Sequence, residues 1–64
     1  MSAEPGREVY FEMTRVGVSV RVAAIDAATG VEVTVVGPAS AAQSDLQQLA
    51  LAKLKTRLAR GTES

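Results

Sequence analysis

The chain lacks cysteine, histidine and tryptophan, and only 3% of its 64 residues are aromatic. Without cysteine it has neither a disulfide framework nor a thiolate metal site. Without histidine it lacks the commonest metal ligand and the usual base for nucleophilic catalysis. We therefore predict that this chain is not an enzyme and that it binds no cofactor or metal ion.

Long apolar runs are also missing, because no stretch approaches the ~20 apolar residues that a helix needs to cross a bilayer. The first residues carry too many charges for a signal peptide. These features predict a soluble cytoplasmic protein. Seven basic and seven acidic side chains cancel. A chain of this length buries only ~60% of the surface that it exposes when unfolded, so we expect a thin stability margin.

Alternation of apolar and polar residues predicts three β-strands, at about 8–14, 18–26 and 31–37. Short connections between them favour an antiparallel meander in the order 1-2-3. The predicted inward face carries only apolar side chains, which are Val9, Phe11, Met13, Val18, Val20, Val22, Ala24, Val31, Val33 and Val35.

Two turn predictions fix the expected pairing of these strands. Val16-Gly17 is predicted to form a two-residue hairpin loop, and this register places Glu12 opposite Arg21. The segment from Asp26 to Gly30 predicts a type I turn. In it the Asp26 carboxylate accepts hydrogen bonds from nearby backbone amides and Gly30 adopts a positive φ.

The residues after Gly37-Pro38 predict one helix at about 41–60, with a capping box that begins at Ser40 or at Ser44. Packing its apolar stripe on the valine face predicts a two-layer α+β domain over residues 8–60. A flexible arm at 1–7 and a frayed tail at 61–64 are expected to flank it. The stripe consists of Ala42, Leu46, Ala50, Leu54 and Leu58, with Leu51 on its flank.

Apolar residues on outward faces predict an interaction surface. The third strand also presents an edge with no lysine or proline between Val31 and Val36, and such edges pair with other strands. We therefore predict a protein-interaction or self-association module whose partner is a second copy or an unknown protein. The candidate residues are Tyr10, Arg21, Ala23, Ile25 and Val36 on the sheet and Leu49 on the helix.

An alternative function follows from the segregation of charge. Residues 46–60 contain four basic side chains and no acidic one, which is compatible with a nucleic-acid-binding β-β-β-α domain. Cations near a helix C-terminus also complement the helix dipole, and the strands carry more acids than bases, so we favour the interaction module. The residues that nucleic acid would contact are Arg15, Arg21, Lys53, Lys55, Arg57 and Arg60.

Six short segments carry a resemblance to a known family: Glu8–Glu12, Arg15–Gly17, Val20–Val22, Ala24–Gly30, Val36–Ala39 and Leu49–Leu54. Together they resemble a family of short bacterial proteins of unknown function over most of residues 8–58. The segments consist of turn and core residues. The resemblance therefore implies the β-β-β-α layout and implies no activity and no site residue.

Overall fold

The computed structural model describes residues 8–61. The predicted arm at 1–7 and residues 62–64 of the predicted tail lie outside the described residues. Gly61, predicted to be the first residue of that tail, is instead the last residue of the helix. Three strands precede one helix along the chain: β1 (Val9–Val16), β2 (Ser19–Asp26), β3 (Glu32–Pro38) and α1 (Gln43–Gly61). The strands form an open antiparallel sheet in the order β1-β2-β3. The predicted α+β fold is confirmed.

The core lies between one face of the sheet and one stripe of α1. Leu46, Ala50 and Leu54 are buried at i, i+4 spacing on the helix, and Leu58 is half-buried. The sheet contributes buried Val22, Ala24 and Val33. Full burial of one such leucine or valine contributes about 1.5–3 kcal/mol. Ala42 does not belong to this stripe, because it is exposed and precedes the helix.

The first hairpin differs from the prediction in its register. β1 continues through Val16, and the two-residue loop is Gly17-Val18, so that Glu12 lies opposite Ala23 and not opposite Arg21. Gly17 has φ 61°, which suits the first central position of a type II′ turn. The pairing shifts by two residues, an even number, so the inward and outward faces stay as predicted. Val18 leaves the inward face for the exposed turn.

The second turn matches its prediction. The buried Asp26 carboxylate accepts hydrogen bonds from the Thr29 backbone N–H at 3.0 Å and from the Thr29 hydroxyl at 2.7 Å. The Gly30 N–H donates to the Asp26 carbonyl, and Gly30 has φ 79°. These bonds explain how a carboxylate is buried at this position, since a buried polar group is costly only when its hydrogen bonds are unmade.

The helix begins two residues later than predicted, and neither Ser40 nor Ser44 is its N-cap. The Ala42 carbonyl accepts the first helical hydrogen bonds, from the backbone N–H groups of Asp45 and Leu46. The first turn of the helix packs against Gly37 of β3, where a Cβ would lie 2.5 Å from a Leu46 methyl carbon. The missing side chain therefore lets the first turn of α1 approach β3 closely.

Candidate interaction surfaces

The sheet face turned away from α1 holds five of the six predicted contact residues, and four of these five are exposed or half-buried. Tyr10 lies beside Ile25 in the β1–β2 ladder, and Arg21 lies beside Val36 in the β2–β3 ladder. Tyr10 is 56% and Val36 66% exposed, and Arg21 is exposed, whereas Ile25 is half-buried. The outer face therefore presents two pairs of candidate residues, separated by the row that contains Ala23.

The other two predicted residues do not extend this surface. Ala23 is only 5% exposed, because it is a short side chain in the central strand with Glu12 and Thr34 directly beside it. Leu49 is 59% exposed, but it lies on α1, in the other layer of the domain. The predicted set is therefore divided between two sides of the molecule, and Ala23 offers almost no contact area.

Polar contacts on the outer face are local. The Tyr10 hydroxyl donates to the Glu8 carboxylate at 3.1 Å. That hydrogen bond, together with the negative charge of Glu8, raises the pKa of Tyr10 above its ordinary value. Arg15 likewise bonds within its own hairpin, because its Nε donates to the Gly17 carbonyl at 3.1 Å. These contacts order the first hairpin rather than assembling a chemical site.

The edge of β3 is covered by a lysine that the strand itself does not contain. Asp26 N–H donates to the Val31 carbonyl, and Ala39 N–H donates to the Val18 carbonyl. Odd-numbered residues of β3 therefore bond to β2, and the Thr34 carbonyl points outward. Lys53 of α1 donates to that carbonyl at 2.8 Å. Pro38, inside the strand, has no N–H to offer. Residues 31–36 themselves contain no lysine or proline, as the sequence shows, but β3 continues to Pro38 and Lys53 of the helix contacts its edge.

The edge of β1 is built differently. The Glu8 carbonyl accepts from the Ala27 N–H across the ladder to β2, so even-numbered residues of β1 bond inward. The backbone N–H and C=O groups of the odd-numbered residues Val9, Phe11, Met13 and Arg15 point away from β2. Among residues 8–61 no strand pairs with this edge, and we call it the free edge of β1. This strand is eight residues long and contains no proline.

The inner face of β1 is also incompletely covered, because α1 packs mainly against β2 and β3. Val9 and Met13 are half-buried, and Phe11 between them is 36% exposed on the face that forms the core elsewhere. Sequence periodicity assigned all three to the inward face and gave no indication that α1 leaves them partly open. We call this row the open strip: Val9, Phe11 and Met13 of β1.

A third surface is basic. Lys53, Thr56, Arg57 and Arg60 follow each other at helical spacing on one flank of α1 and line a shallow groove with Val33. The four basic residues are therefore not spread evenly around the helix, because only Lys55 lies on the opposite flank. This convergence was predictable from the i, i+4, i+7 spacing.

These observations define a small α+β domain, an open three-stranded antiparallel sheet with one helix on one face. Residues 6–61 match the family described as "Domain of unknown function (DUF6898)", and the chain belongs to that family. No curated protein and no solved structure matches the chain. Between residues 8 and 61, no helix has the length and apolar character to span a membrane, and no cluster of potential metal ligands is found there.

Proposed function

We propose that this domain is a non-catalytic interaction module that works by self-association. The observation that carries the proposal is the open strip, where Phe11 is 36% exposed between Val9 and Met13. Elsewhere in the sheet the same face is the buried core of the domain. A second molecule that covers this strip would complete a core that one copy leaves unfinished.

The size of the domain supports the same conclusion. A chain of 64 residues has little apolar surface to bury, so each exposed core position takes away a sizeable share of its stability. Association stabilises the folded state by mass action, because the partner binds only the folded chain. Self-association therefore compensates for a core that one helix covers only in part.

Two of the carboxylates, Asp26 and Glu8, have structural contacts. Asp26 accepts two hydrogen bonds from Thr29 and is enclosed by the second turn. Glu8 accepts from the hydroxyl of Tyr10 on an exposed strand. Both carboxylates order their own hairpins, which supports the non-catalytic part of the proposal.

Solution mass measured against protein concentration tests the proposal. Sedimentation equilibrium of the full chain is expected to show the apparent mass rising from 6.7 kDa toward twice that value. Raising the salt concentration should leave this rise intact or strengthen it, because the open strip is apolar and salt screens the charge of Glu12 on the same strand. A mass of one chain at every concentration would refute self-association.

A second candidate function is nucleic-acid binding, favoured by the gathering of Lys53, Arg57 and Arg60 in one groove. Like charges at i, i+4 on a helix destabilise it by about 0.2–0.5 kcal/mol per pair, and a polyanion would relieve that repulsion. Against it, Glu12 and Glu32 lie on the outer face of the sheet. We therefore place it second.

Salt titration against a random DNA duplex separates the two functions. Nucleic-acid binding would weaken steeply with salt, with a slope of about −0.9 in log K for each phosphate contacted. Replacing Arg57 and Arg60 by glutamine should then flatten the slope, whereas Lys55→Gln on the opposite flank should not. Absence of binding at low ionic strength would remove this candidate and leave self-association untouched.

A further inference from the structure

We propose that two copies of this chain associate by pairing β1 with β1 antiparallel across a two-fold axis centred on Phe11. The two sheets then form one continuous sheet with both helices on the same face. This inference rests on the proposed function and names its surface, its partner and its register.

The choice of β1 follows from the contrast between the two free edges. On β3, Lys53 donates a hydrogen bond to the outward Thr34 carbonyl, and Pro38 has no N–H to donate. On β1, the residues whose N–H and C=O groups point outward are Val9, Phe11 and Met13. Their apolar side chains lie on the partly uncovered face of the sheet. Pairing at β1 therefore satisfies backbone groups and covers the open strip in one step.

Symmetry and charge narrow the register to few possibilities. In an isologous antiparallel pair, the two-fold axis passes through a residue that faces its own copy. An axis at Glu12 would set two carboxylates directly opposite each other in a pair without hydrogen bonds between them, where side chains come closest. That register is unfavourable, and the axis falls on a neighbouring odd-numbered residue.

Apolar matching selects Phe11 over Met13. An axis at Phe11 pairs Phe11 with its copy and Val9 with Met13 of the other chain, so every residue of the open strip meets an apolar residue. An axis at Met13 instead sets Phe11 opposite Arg15, whose guanidinium bonds to the first turn. With the axis at Phe11, three hydrogen-bonded pairs supply about six hydrogen bonds between the chains.

The expected dimer is weak. One strand edge and three apolar side chains per copy make an interface smaller than the roughly 800 Å² per partner of a standard complex. We therefore expect a dimer that dissociates on dilution in the micromolar range. The expected association is consequently concentration-dependent rather than permanent.

Single-cysteine variants test the register directly, because the natural chain contains no cysteine. Hydrogen-bonded partners in an antiparallel pair have Cα atoms about 5.5 Å apart, inside the roughly 4.4–6.8 Å range that disulfides span. Under mild oxidation, Phe11→Cys is expected to give a covalent dimer on a non-reducing gel. Met13→Cys, whose copies lie several residues apart in this register, and Val36→Cys on β3 are expected to stay monomeric on the same gel.

Four outcomes overturn the inference, and they differ in what they mean for self-association. Cross-linking of Met13→Cys but not Phe11→Cys would refute the register, and cross-linking of Val36→Cys alone would move the interface to β3. A dimeric mass with no cross-link in any variant would place the interface on another surface while the proposed function stands. A monomeric mass at all concentrations would refute both.

A second pair of variants keeps the inference testable if Phe11→Cys does not fold. Met13→Pro removes one outward donor of β1 without touching the ladder to β2, and Val36→Pro does the same on β3. Met13→Pro should abolish the concentration-dependent rise in mass while circular dichroism shows an intact fold. Val36→Pro should keep the rise, and the reverse result would contradict pairing through β1.

Discussion

The two free edges of the sheet differ in what lies beside them. At β3, α1 lies overhead, and its Lys53 reaches down to the outward Thr34 carbonyl. At β1 the helix provides less cover, because α1 packs mainly against β2 and β3, and Phe11 stays partly exposed. One helix is about 10 Å wide and strands are about 4.8 Å apart, so a single helix covers roughly two strands. A three-stranded sheet under one helix therefore always has a protected side and an open side.

The largest expected effect on stability comes from disrupting the packing of α1, the helix that covers β3 more than β1. Leu54→Asp forfeits about 2–5 kcal/mol of packing and places a carboxylate in the core. The sum exceeds the roughly 5 kcal/mol margin of a marginal domain. We expect loss of the circular-dichroism signal and of cooperative urea unfolding.

The matched control is Leu49→Asp, on the solvent side of the same helix. Because Leu49 is 59% exposed, its free energy of unfolding should stay within about 0.5 kcal/mol of the natural chain. A folded Leu54→Asp variant with an ordinary urea transition would contradict the packing described for α1.

A smaller effect is expected from forcing the helix away from the protected edge. Gly37→Ala places a Cβ 2.5 Å from a methyl carbon of the buried Leu46, and overpacking of this kind costs about 1–3 kcal/mol. Urea unfolding measures the loss, and Val36→Ala on the same strand serves as the control, with a change of about 0.5 kcal/mol or less expected. Equal stability of the two variants would show that the Leu46 side chain can move away from the added Cβ without a cost in stability.

The smallest effect on stability is expected from Lys53→Met, which removes the contact by which we distinguish the β3 edge from the β1 edge. Loss of one exposed hydrogen bond costs about 1 kcal/mol at most, but it frees the Thr34 carbonyl at the β3 edge. With both edges open, we expect masses above that of a dimer in light scattering. Lys55→Met on the opposite flank removes the same charge without uncovering β3, so an equal mass increase there would attribute the effect to charge alone.

Sequence patterning predicted the fold because its signals are periodic. The valine alternation assigned the faces of all three strands, and a shift of two residues in the first hairpin left those faces unchanged. The hairpin register itself was missed because two-residue loops accept glycine at either central position. The pairing of Val16 with Ser19 in the folded chain identifies Gly17-Val18 as the loop.

The asymmetry of the candidate surfaces was not predictable from local patterns. Periodicity shows that Val9, Phe11 and Met13 face inward but not which strand the helix leaves open. The close packing of Leu46 against Gly37 of β3 is a contact between distant parts of the chain, which periodicity does not report. Lys53 and Thr34 are 19 residues apart in the sequence. The residues of β3 therefore give no sign that a lysine from the helix contacts its edge.

The position of Lys53 in the chain has a consequence for synthesis on the ribosome. The three strands emerge before α1, and the residue that shields β3 belongs to that later helix. Until α1 has left the exit tunnel and docked, a nascent sheet has two bare sides instead of one. The β3 edge is therefore protected only after α1 has docked. Before that, during synthesis close to other nascent chains, this small domain is most exposed to mispairing.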